Sequence, residues 1–411
     1  MTQLIEQRKI PYLIVLLTIL VSDDTLFFGT PGNDIFISIK YFVLFGLYVW
    51  LLTSYHHTFS NDSLPKLVCG MMCACVLLSG IVNADLRLGV FYKCFILMLS
   101  LLIASKLKYE EYSNAFTFII VIVATISVVF MSVATISFSL LSFAPVFTNV
   151  AEQPFYNFFV FLVPTHVEHL RNYGFFREPG VFQMYLIMAL VFNTYNNNGF
   201  NLKYFIILSI ALVFTYSTTG FIAYGIYLIL FYLQSKKNKI SKKTLRKITL
   251  LLIVGVTFLM LKTDLLSSEG MVFDKFENTN RGTTVARLAS YTSTYDLWRE
   301  SPVFGNGLTK TEDKFKEITY AFYGQESTNT NTLMSELATY GTLFFILMCL
   351  GLILFAKKTG LTFLDKSLLF LIFIILSTGE KLTFSPFFYI ICLYGWTIRP
   401  YQYKLKKSKV Q

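Results

Sequence analysis

Apolar stretches about as long as a membrane is thick run through this sequence, and they limit what it can fold into. The chain of 411 residues is 55% hydrophobic and only 14% charged, with a mean hydropathy of +0.58. A soluble domain carries roughly 25% charged residues and could not bury this much apolar surface. Because a helix satisfies its own backbone hydrogen bonds in lipid, we expect an all-α polytopic membrane protein.

The apolar stretches predict about twelve transmembrane helices, since a spanning helix needs roughly 20 mostly apolar residues. Short polar breaks separate two closely spaced pairs, at residues 217–220 and around residues 379–381. We expect one integral membrane domain over residues 1–411. The predicted spans are residues 10–28, 36–54, 67–83, 88–105, 114–136, 181–196, 203–216, 219–235, 248–262, 330–356, 365–379 and 381–398.

Basic residues in the short links indicate the orientation of the chain. If the N-terminus is cytoplasmic, every basic cluster of the short links lies on the cytoplasmic side, as the positive-inside rule requires. The largest clusters are residues 236–247 and 399–409. The net charge of +11 therefore reflects topology, and we expect no nucleic-acid partner. We predict a multi-pass protein of the cytoplasmic (inner) membrane with both termini cytoplasmic. No small-residue cleavage site follows the first span, which we interpret as a retained signal anchor.

Two loops on the predicted outer face are too long to be simple connections, at residues 137–180 and 263–329. The first contains an apolar stretch, residues 155–163, that is too short to span, so we expect an interfacial or re-entrant helix there. The second contains an amphipathic run, residues 285–299, followed by a Ser-Pro step and two glycines that predict a turn. Function concentrates in long ordered loops, so we expect the active site to face the periplasm or the exterior.

Arginines in both loops are the strongest chemical signal. Arg171 and Arg177 precede the apolar run of residues 181–192, and Arg281 and Arg287 lie in the second loop. The planar guanidinium donates two parallel hydrogen bonds and keeps its proton, which suits a phosphate group at a membrane face. Such arginines can also serve as snorkelling anchors or form loop salt bridges.

Glu178, directly before Pro179 and Gly180, has two interpretations. A carboxylate near a helix N-terminus can cap the helix, with proline in the first turn. The same carboxylate could act as a general base or accept a hydrogen bond from a sugar hydroxyl.

Other polar residues in the sequence give weaker signals. Glu336 lies one to two turns inside a predicted span, where an ionisable group is a functional candidate unless it makes a satisfied contact within the bundle. Lys40 and Lys93 lie near outer helix ends and could snorkel. His166 and His169 have helical spacing but no third ligand nearby, so we expect no metal and no cofactor. The six cysteines lie in or beside apolar runs, and we expect no structural disulfide.

Each long loop carries a short motif, and the residues are Arg171, Gly174, Phe176, Glu178 and Pro179 in the first loop, and Arg287, Leu288, Tyr291, Pro302, Gly305 and Gly307 in the second. These motifs resemble those of the bacterial O-antigen ligase and polysaccharide polymerase superfamily, most closely the Wzy-type polymerases. The break at residues 217–220 is also similar to a serine-containing outer turn of that family. The order of elements and the large late outer loop match along almost the whole chain.

This resemblance implies a GT-C-like fold and a membrane glycosyltransferase that needs neither metal nor nucleotide sugar. Its donor would be a glycan on undecaprenyl pyrophosphate, and its acceptor the terminal sugar of a fresh lipid-linked repeat unit. A flippase and a chain-length regulator would be partners in the same membrane. The implied roles are a pyrophosphate clamp for Arg171 and Arg287, support for Arg177 and Arg281, a base or acceptor-orienting role for Glu178, and substrate binding for Tyr291 and Asn331.

One departure from the family pattern bears on the reaction. Ligases of the superfamily typically carry a His-Asn pair at the start of the span after the large loop, and the equivalent positions here are Thr330 and Asn331. The missing histidine favours a polymerase over a ligase that moves finished polymer to a lipid A core. Two further classes are compatible with a polytopic chain. One is a flippase or transporter, which would need ionisable residues deep in several spans, and the second is a regulatory or structural membrane subunit.

Overall fold

A computed structural model describes residues 2–29, 34–53, 63–148, 154–158, 161–165, 170–196, 199–237, 282–323, 329–359 and 362–397. These residues are mostly helical, because the long apolar runs form helices. The helices are α1 (Thr2–Leu20), α2 (Leu26–Gly29), α3 (Asp34–Thr53), α4 (Ser63–Val82), α5 (Leu88–Lys106), α6 (Tyr109–Ile136), α7 (Pro179–Thr194), α8 (Leu202–Val213), α9 (Thr218–Lys237), α10 (Gly282–Glu300), α11 (Leu308–Tyr323), α12 (Thr332–Thr359), α13 (Phe363–Gly379) and α14 (Pro386–Trp396).

The helices agree with a polytopic membrane protein. Five of them, α3, α4, α5, α6 and α12, are long and apolar enough to cross a membrane, and several shorter apolar helices accompany them. Every predicted span except residues 248–262 overlaps a helix, and that span lies outside the described residues. The match is poorest for span 10–28, since α1 already ends at Leu20, and for span 381–398, since α14 begins only at Pro386. The predicted breaks also occur, since α8 ends at Val213 before α9 starts, and α13 ends at Gly379. The total number of spans stays a prediction.

Helix α7 forms the centre of the bundle. All of its residues are buried, and α6, α8 and α9 pack around it. A helix that is apolar on every side is expected in such a position. Its first turn therefore lies near the middle of the bundle end that carries both long loops, which we call the loop end. Residues 170–178, which directly precede α7 in the chain, also lie at the loop end.

The first loop folds as a sheet, so the interfacial or re-entrant helix expected at residues 155–163 is wrong. Three short antiparallel strands, β1 (Val146–Thr148), β2 (Pro154–Asn157) and β3 (Leu162–Pro164), pair in the order β1-β2-β3. Aromatic and β-branched residues favour a pleated surface, and the prolines at strand ends disfavour a helix. The amide of Leu162 donates to the carbonyl of Gly174 at 2.8 Å, which ties the sheet to the arginine segment. His166 and His169 lie outside the described residues.

The second loop begins, within the described residues, with α10, which confirms the helix expected at residues 285–299. The predicted turn after it is also confirmed, and Gly305 and Gly307 both have positive φ angles. The turn is fixed by helix α12 and by α4. Asn83 donates to the carbonyl of Gly305 at 3.0 Å, and the Asp85 carboxylate accepts from the amide of Thr309 at 2.7 Å, which caps the start of α11.

Helix α12 is broken at Gly341, and the turn of the second loop occupies the break. The amide of Thr342 donates to the carbonyl of Pro302 at 2.9 Å instead of to Ala338, its partner in a regular helix. The carbonyl of Ala338 accepts from the amide of Asn306 at 2.8 Å. The turn at residues 302–307 therefore exchanges backbone hydrogen bonds with the broken helix α12. We call this connection between the second loop and α12 the joint.

Replacing Gly341 with alanine should destabilise this joint. Gly341 has a φ angle of 83°, and an added Cβ would lie 2.1 Å from the carbonyl oxygen of Val303. Thermal unfolding of the detergent-solubilised protein should show an apparent Tm lower by at least about 5 °C, on the order of 2 kcal/mol. Gly46→Ala is the matched control, because nothing lies within 4 Å of its added Cβ. Equal melting temperatures for the two variants would contradict the assigned role.

Candidate functional site

The link between α13 and α14, residues 380–385, lies at the centre of the loop end, and we call it the central link. The hydroxyl of Thr332, the first residue of α12, donates to the carbonyl of Glu380 and accepts from the amide of Leu382 at 2.8 Å. The hydroxyl of Ser385 donates to the carboxylate of Asp24, which follows α1. One short segment thus connects the first helix, the long helix α12 and the last two helices.

Arg177 joins the first loop to the central link. Its Nη2 donates to the carbonyl of Lys381, and its backbone amide donates to the carbonyl of Asp24 at 3.0 Å. Burial alone would lower the pKa of Arg177, but the carboxylates of Glu178, Asp24 and Glu380 outweigh this effect and raise the pKa. Its Nε is buried and makes no hydrogen bond to any described residue. The guanidinium is therefore a positive charge that the carbonyl of Lys381 holds in place.

The carboxylate of Glu380 lies against the first turn of α7. A Cβ placed on Gly180 would come 1.5 Å from Glu380 Oε1, so only glycine leaves room for the carboxylate there. Glu178 is the N-cap residue of α7, but its side chain is exposed and makes no capping hydrogen bond. The capping interpretation of Glu178 is thus confirmed for its position at the N-cap ahead of Pro179, without a side-chain hydrogen bond. The backbone of Glu178 is extended ahead of Pro179. The carboxylate that lies against the first turn of α7 belongs to Glu380 and not to Glu178.

Several helices begin around the central link. Helix α7 begins beside the Glu380 carboxylate, α12 begins at Thr332, and α14 begins after Ser385. Helix α9 begins close by, since a Cβ on Gly379 would lie 2.8 Å from Thr219 Cγ2. Each helix start presents amide groups and the positive end of a dipole. Two of these starts are capped by side chains, since Asn331 accepts from the amide of Met334 and Ser217 accepts from the amide of Gly220. The convergence of the helix starts makes this region electrostatically suited to an anion.

Arg171 binds the break between α8 and α9. Its Nε donates to the carbonyl of Thr215 at 2.9 Å, and its Nη2 donates to the carbonyl of Tyr216 at 3.3 Å. The first-loop arginine and the 217–220 turn, singled out separately in the sequence, are thus brought together. These bonds hold the start of α9 close to the start of α7.

The structure describes only some of the site residues that were predicted in and directly after the second loop. Asn331 caps α12, since its Oδ1 accepts from the amide of Met334 at 3.1 Å, and its Nδ2 is buried without a hydrogen bond to any described residue. Tyr291 is 44% exposed. The backbone of Arg287 lies in α10, while its side chain and all of Arg281 lie outside the described residues. The clamp between Arg171 and Arg287 therefore stays a prediction.

A cavity of about 180 Å³ lies beside the central link, between α11 and the start of α12. The ε-amino group of Lys381 forms an ion pair with Glu312 at its rim. Hydroxyl, amide and aromatic groups share its wall, a combination that suits a sugar ring. The lining residues are Thr311, Glu312, Phe315, Lys316, Asn329, Ser335 and Lys381.

Lys93 and Glu336 form a fully buried ion pair that joins α5 to α12. The Lys93 ammonium donates to both Glu336 oxygens at 2.9 Å and to the Thr383 carbonyl at 2.6 Å, and it lies over the Tyr389 ring at 4.3 Å. The snorkelling interpretation of Lys93 is wrong, because its charge is satisfied inside the bundle. Glu336 is a satisfied contact, which was one of its two interpretations.

Lys40 also does not snorkel. Its ammonium is buried and donates to Asp23 at 2.7 Å and to the carbonyl of Phe28 at 3.0 Å.

The neighbouring Asp24 was not singled out in the sequence, although it is buried and its carboxylate accepts from the Tyr185 hydroxyl at 2.6 Å. Burial raises the pKa of this carboxyl, against the lowering effect of Arg177. Two adjacent aspartates that interrupt the apolar run of residues 10–28 were the available signal.

Comparison with known families supports the resemblance found in the loops. Residues 204–336, which are 133 of 411 residues, match the family model Wzy_C, described as O-antigen ligase. The matched segment runs from α8 into α12 and includes the second-loop motif, while the arginine segment of the first loop lies outside it. No curated protein and no solved structure gives a significant match.

The helices agree with a polytopic membrane protein, and residues 204–336 are similar to the O-antigen ligase family. Proteins of this family are glycosyltransferase-like enzymes of the inner membrane. The match confirms the superfamily resemblance for residues 204–336.

Removing one partner of the buried Lys93–Glu336 ion pair should lower the free energy of unfolding. Lys93→Met leaves the Glu336 carboxylate without its partner, and breaking such a pair typically costs about 3–5 kcal/mol. The double variant Lys93→Met with Glu336→Leu should recover most of the loss, because it leaves no uncompensated charge. Thermal unfolding in detergent measures the stability of the single and the double variant. A double variant no more stable than Lys93→Met would show that the pair is not the source of the effect.

Proposed function

We propose that this chain polymerises undecaprenyl-pyrophosphate-linked oligosaccharide repeat units into O-antigen or capsular polysaccharide at the outer face of the cytoplasmic membrane. The observation that carries the proposal is the convergence of four helix starts and the cations Arg171, Arg177 and Lys381 around the central link. A flippase that delivers the repeat units and a chain-length regulator would act in the same membrane.

The leaving group explains why positive charge is needed at this place. When the acceptor hydroxyl attacks the anomeric carbon of the donor, lipid pyrophosphate departs and negative charge develops on its oxygen. Helix starts and arginines that are already oriented stabilise such charge without reorganisation. We assign Arg171 and Arg287 to the pyrophosphate clamp, with Arg177 and Arg281 as supporting groups.

The cavity beside Lys381 supplies a place for the acceptor. Its volume of about 180 Å³ is smaller than that of a typical pocket for a drug-sized ligand, so it has room for one sugar and not for a chain. Phe315 offers an apolar surface, and Asn329 and Ser335 offer hydrogen bonds. Tyr291 and Asn331 would contact the neighbouring parts of the glycan.

A ligase is the second candidate, and one observation favours it. The family model that matches residues 204–336 is described as O-antigen ligase. Thr330 at the position of the ligase histidine favours the polymerase, because a ligase of this type would use that imidazole as its base.

Deleting the gene and analysing surface and lipid-linked glycans on a gel distinguishes the candidates. Collapse of a polymer ladder to a single repeat unit is the result expected for a polymerase. Long polymer retained on undecaprenyl pyrophosphate would identify a ligase. Repeat units stranded on the cytoplasmic leaflet would identify a flippase and overturn the proposal.

Complementation with arginine variants tests the anion site. Arg171→Ala and Arg177→Ala should each lower polymer formation by about 100-fold, because each removes a charged donor from the leaving-group site. Arg87→Ala is the matched control, since this arginine lies on the same end of the bundle with a side chain that is 74% exposed. Protein level in the membrane is measured for all three. Normal polymer from both site variants would reject the proposed anion site.

A further inference from the structure

We infer that a cavity at the end of the bundle opposite the loop end binds a membrane phospholipid with an anionic headgroup. The cavity has a volume of about 730 Å³ and lies between α1, α6 and the link from α7 to α8. Helices α1, α6 and α8 all begin at this end, where the sequence predicts the cytoplasm. The inference is independent of the proposed glycosyl transfer, which would take place at the other end.

Helix α6 forms the floor of the cavity, and α1 forms one wall. Helices α1 and α8 both pack against α6, and the cavity lies between them. The floor consists of Asn114, Thr117 and Phe118, which are three and four residues apart and therefore share one side of α6. Tyr12 of α1 contacts Phe118, with ring centroids 5.5 Å apart. Both aromatic side chains are exposed, so they offer an apolar surface to a molecule in the cavity.

The link from α7 to α8 forms the other wall, and hydrogen bonds fix its position. The side-chain amide of Asn193 donates to the carbonyl of Asn201 at 2.9 Å and accepts from the amide of Asn201 at 3.1 Å. The side chain of Asn201 in turn caps α8, since its Oδ1 accepts from the amides of Lys203 and Tyr204. A wall that is already ordered lowers the entropy cost of binding a ligand.

The cavity changes from polar to apolar with depth. Lys203 lies in the first turn of α8, at the end of the bundle, whereas Thr117 lies roughly 12 Å along α6 from its first residue. Because α6 is one of the helices able to cross a membrane, the deep part of the cavity would lie beside hydrocarbon. A phospholipid has the same order of groups, with its phosphate at the interface and its acyl chains beneath. A soluble anion would leave the apolar floor uncovered.

Lys203 supplies the charge that selects an anionic headgroup. Its ammonium is exposed and forms no hydrogen bond or ion pair with another described residue. Of the described residues that line the cavity, Lys203 alone is charged, and the acidic Glu110 and Glu111 of the first turn of α6 do not line it. Basic pockets between membrane helices on the cytoplasmic side attract anionic lipid headgroups. The amide of Asn114 can donate a further hydrogen bond to a phosphate or ester oxygen.

The size of the cavity determines how much of the lipid it holds. Pockets that bind small ligands measure about 300–1,000 Å³, so this cavity has room for a headgroup and the upper part of the acyl chains. The remaining chain would lie in the bilayer. A lipid in this position would contact both α1 and the α7–α8 link, and its binding would stabilise the packing of these helices on α6.

Native mass spectrometry of the full-length protein in detergent tests the site while phosphatidylglycerol is titrated. Lys203→Glu should weaken binding of one phosphatidylglycerol molecule by about 30-fold, because the substitution reverses a charge near the membrane surface. Lys357→Glu is the matched control, since Lys357 is exposed in the last turn of α12 at the same end of the bundle and does not line the cavity. Equal binding by the two variants would overturn the inference.

A second variant tests the cavity itself without changing charge. Asn114→Trp should fill the space above the floor, so it should abolish binding of this lipid and the rise in melting temperature that phosphatidylglycerol causes in the wild type. Binding that survives this substitution would contradict the assigned cavity. An equal rise with phosphatidylcholine or with inorganic phosphate would exclude an anionic phospholipid as the selected occupant. Tighter binding of undecaprenyl phosphate than of phosphatidylglycerol would instead identify a site for the carrier lipid and overturn the inference.

Discussion

The hydrogen bonds of the central link hold the loop end of this bundle together. In a membrane, helix ends and turns have little water to satisfy them, so each backbone group there needs a protein partner. Thr332, Arg177 and Lys93 all bond to carbonyls of the link, and Ser385 bonds to Asp24. This short link thereby joins segments from both ends of the sequence. The candidate site is built where these bonds converge, because helix starts, which need hydrogen-bond partners, also attract an anion.

The two long loops contribute to this region in different ways. The first places Arg171 and Arg177 by backbone contacts with the start of α9 and with the central link. The second is held by an exchange of backbone hydrogen bonds with the broken helix α12. A loop fixed in this way keeps its orientation relative to the site, which substrate positioning requires. The motif residues Gly305 and Gly307 serve this attachment, and the amide of Gly307 donates to the carbonyl of Thr339 in α12.

The helices were predictable because apolar runs and their breaks are local features of the sequence. The breaks near residues 217 and 379 and the turn after α10 follow from glycine, serine and proline in the same way. The sheet of the first loop was not predicted, since an aromatic run of that length suits a strand or a helix equally. The pairing of Glu380 with the start of α7 and of Lys93 with Glu336 was also missed. Both depend on segments 200 residues or more apart, and a single sequence contains no record of which distant segments meet.

The buried ion pair has a consequence for how the chain is made. Lys93 is synthesised 243 residues before Glu336, so α5 enters the membrane long before its partner exists. A lone lysine opposes insertion by roughly 2.5–3.5 kcal/mol at the centre of a helix and by less near its end, where Lys93 lies, and the apolar remainder of α5 must outweigh this cost. During that interval the lysine depends on water or on temporary neighbours. The bundle therefore cannot mature one helix at a time from the N-terminus, and the final arrangement of α5 waits for the last third of the protein to arrive.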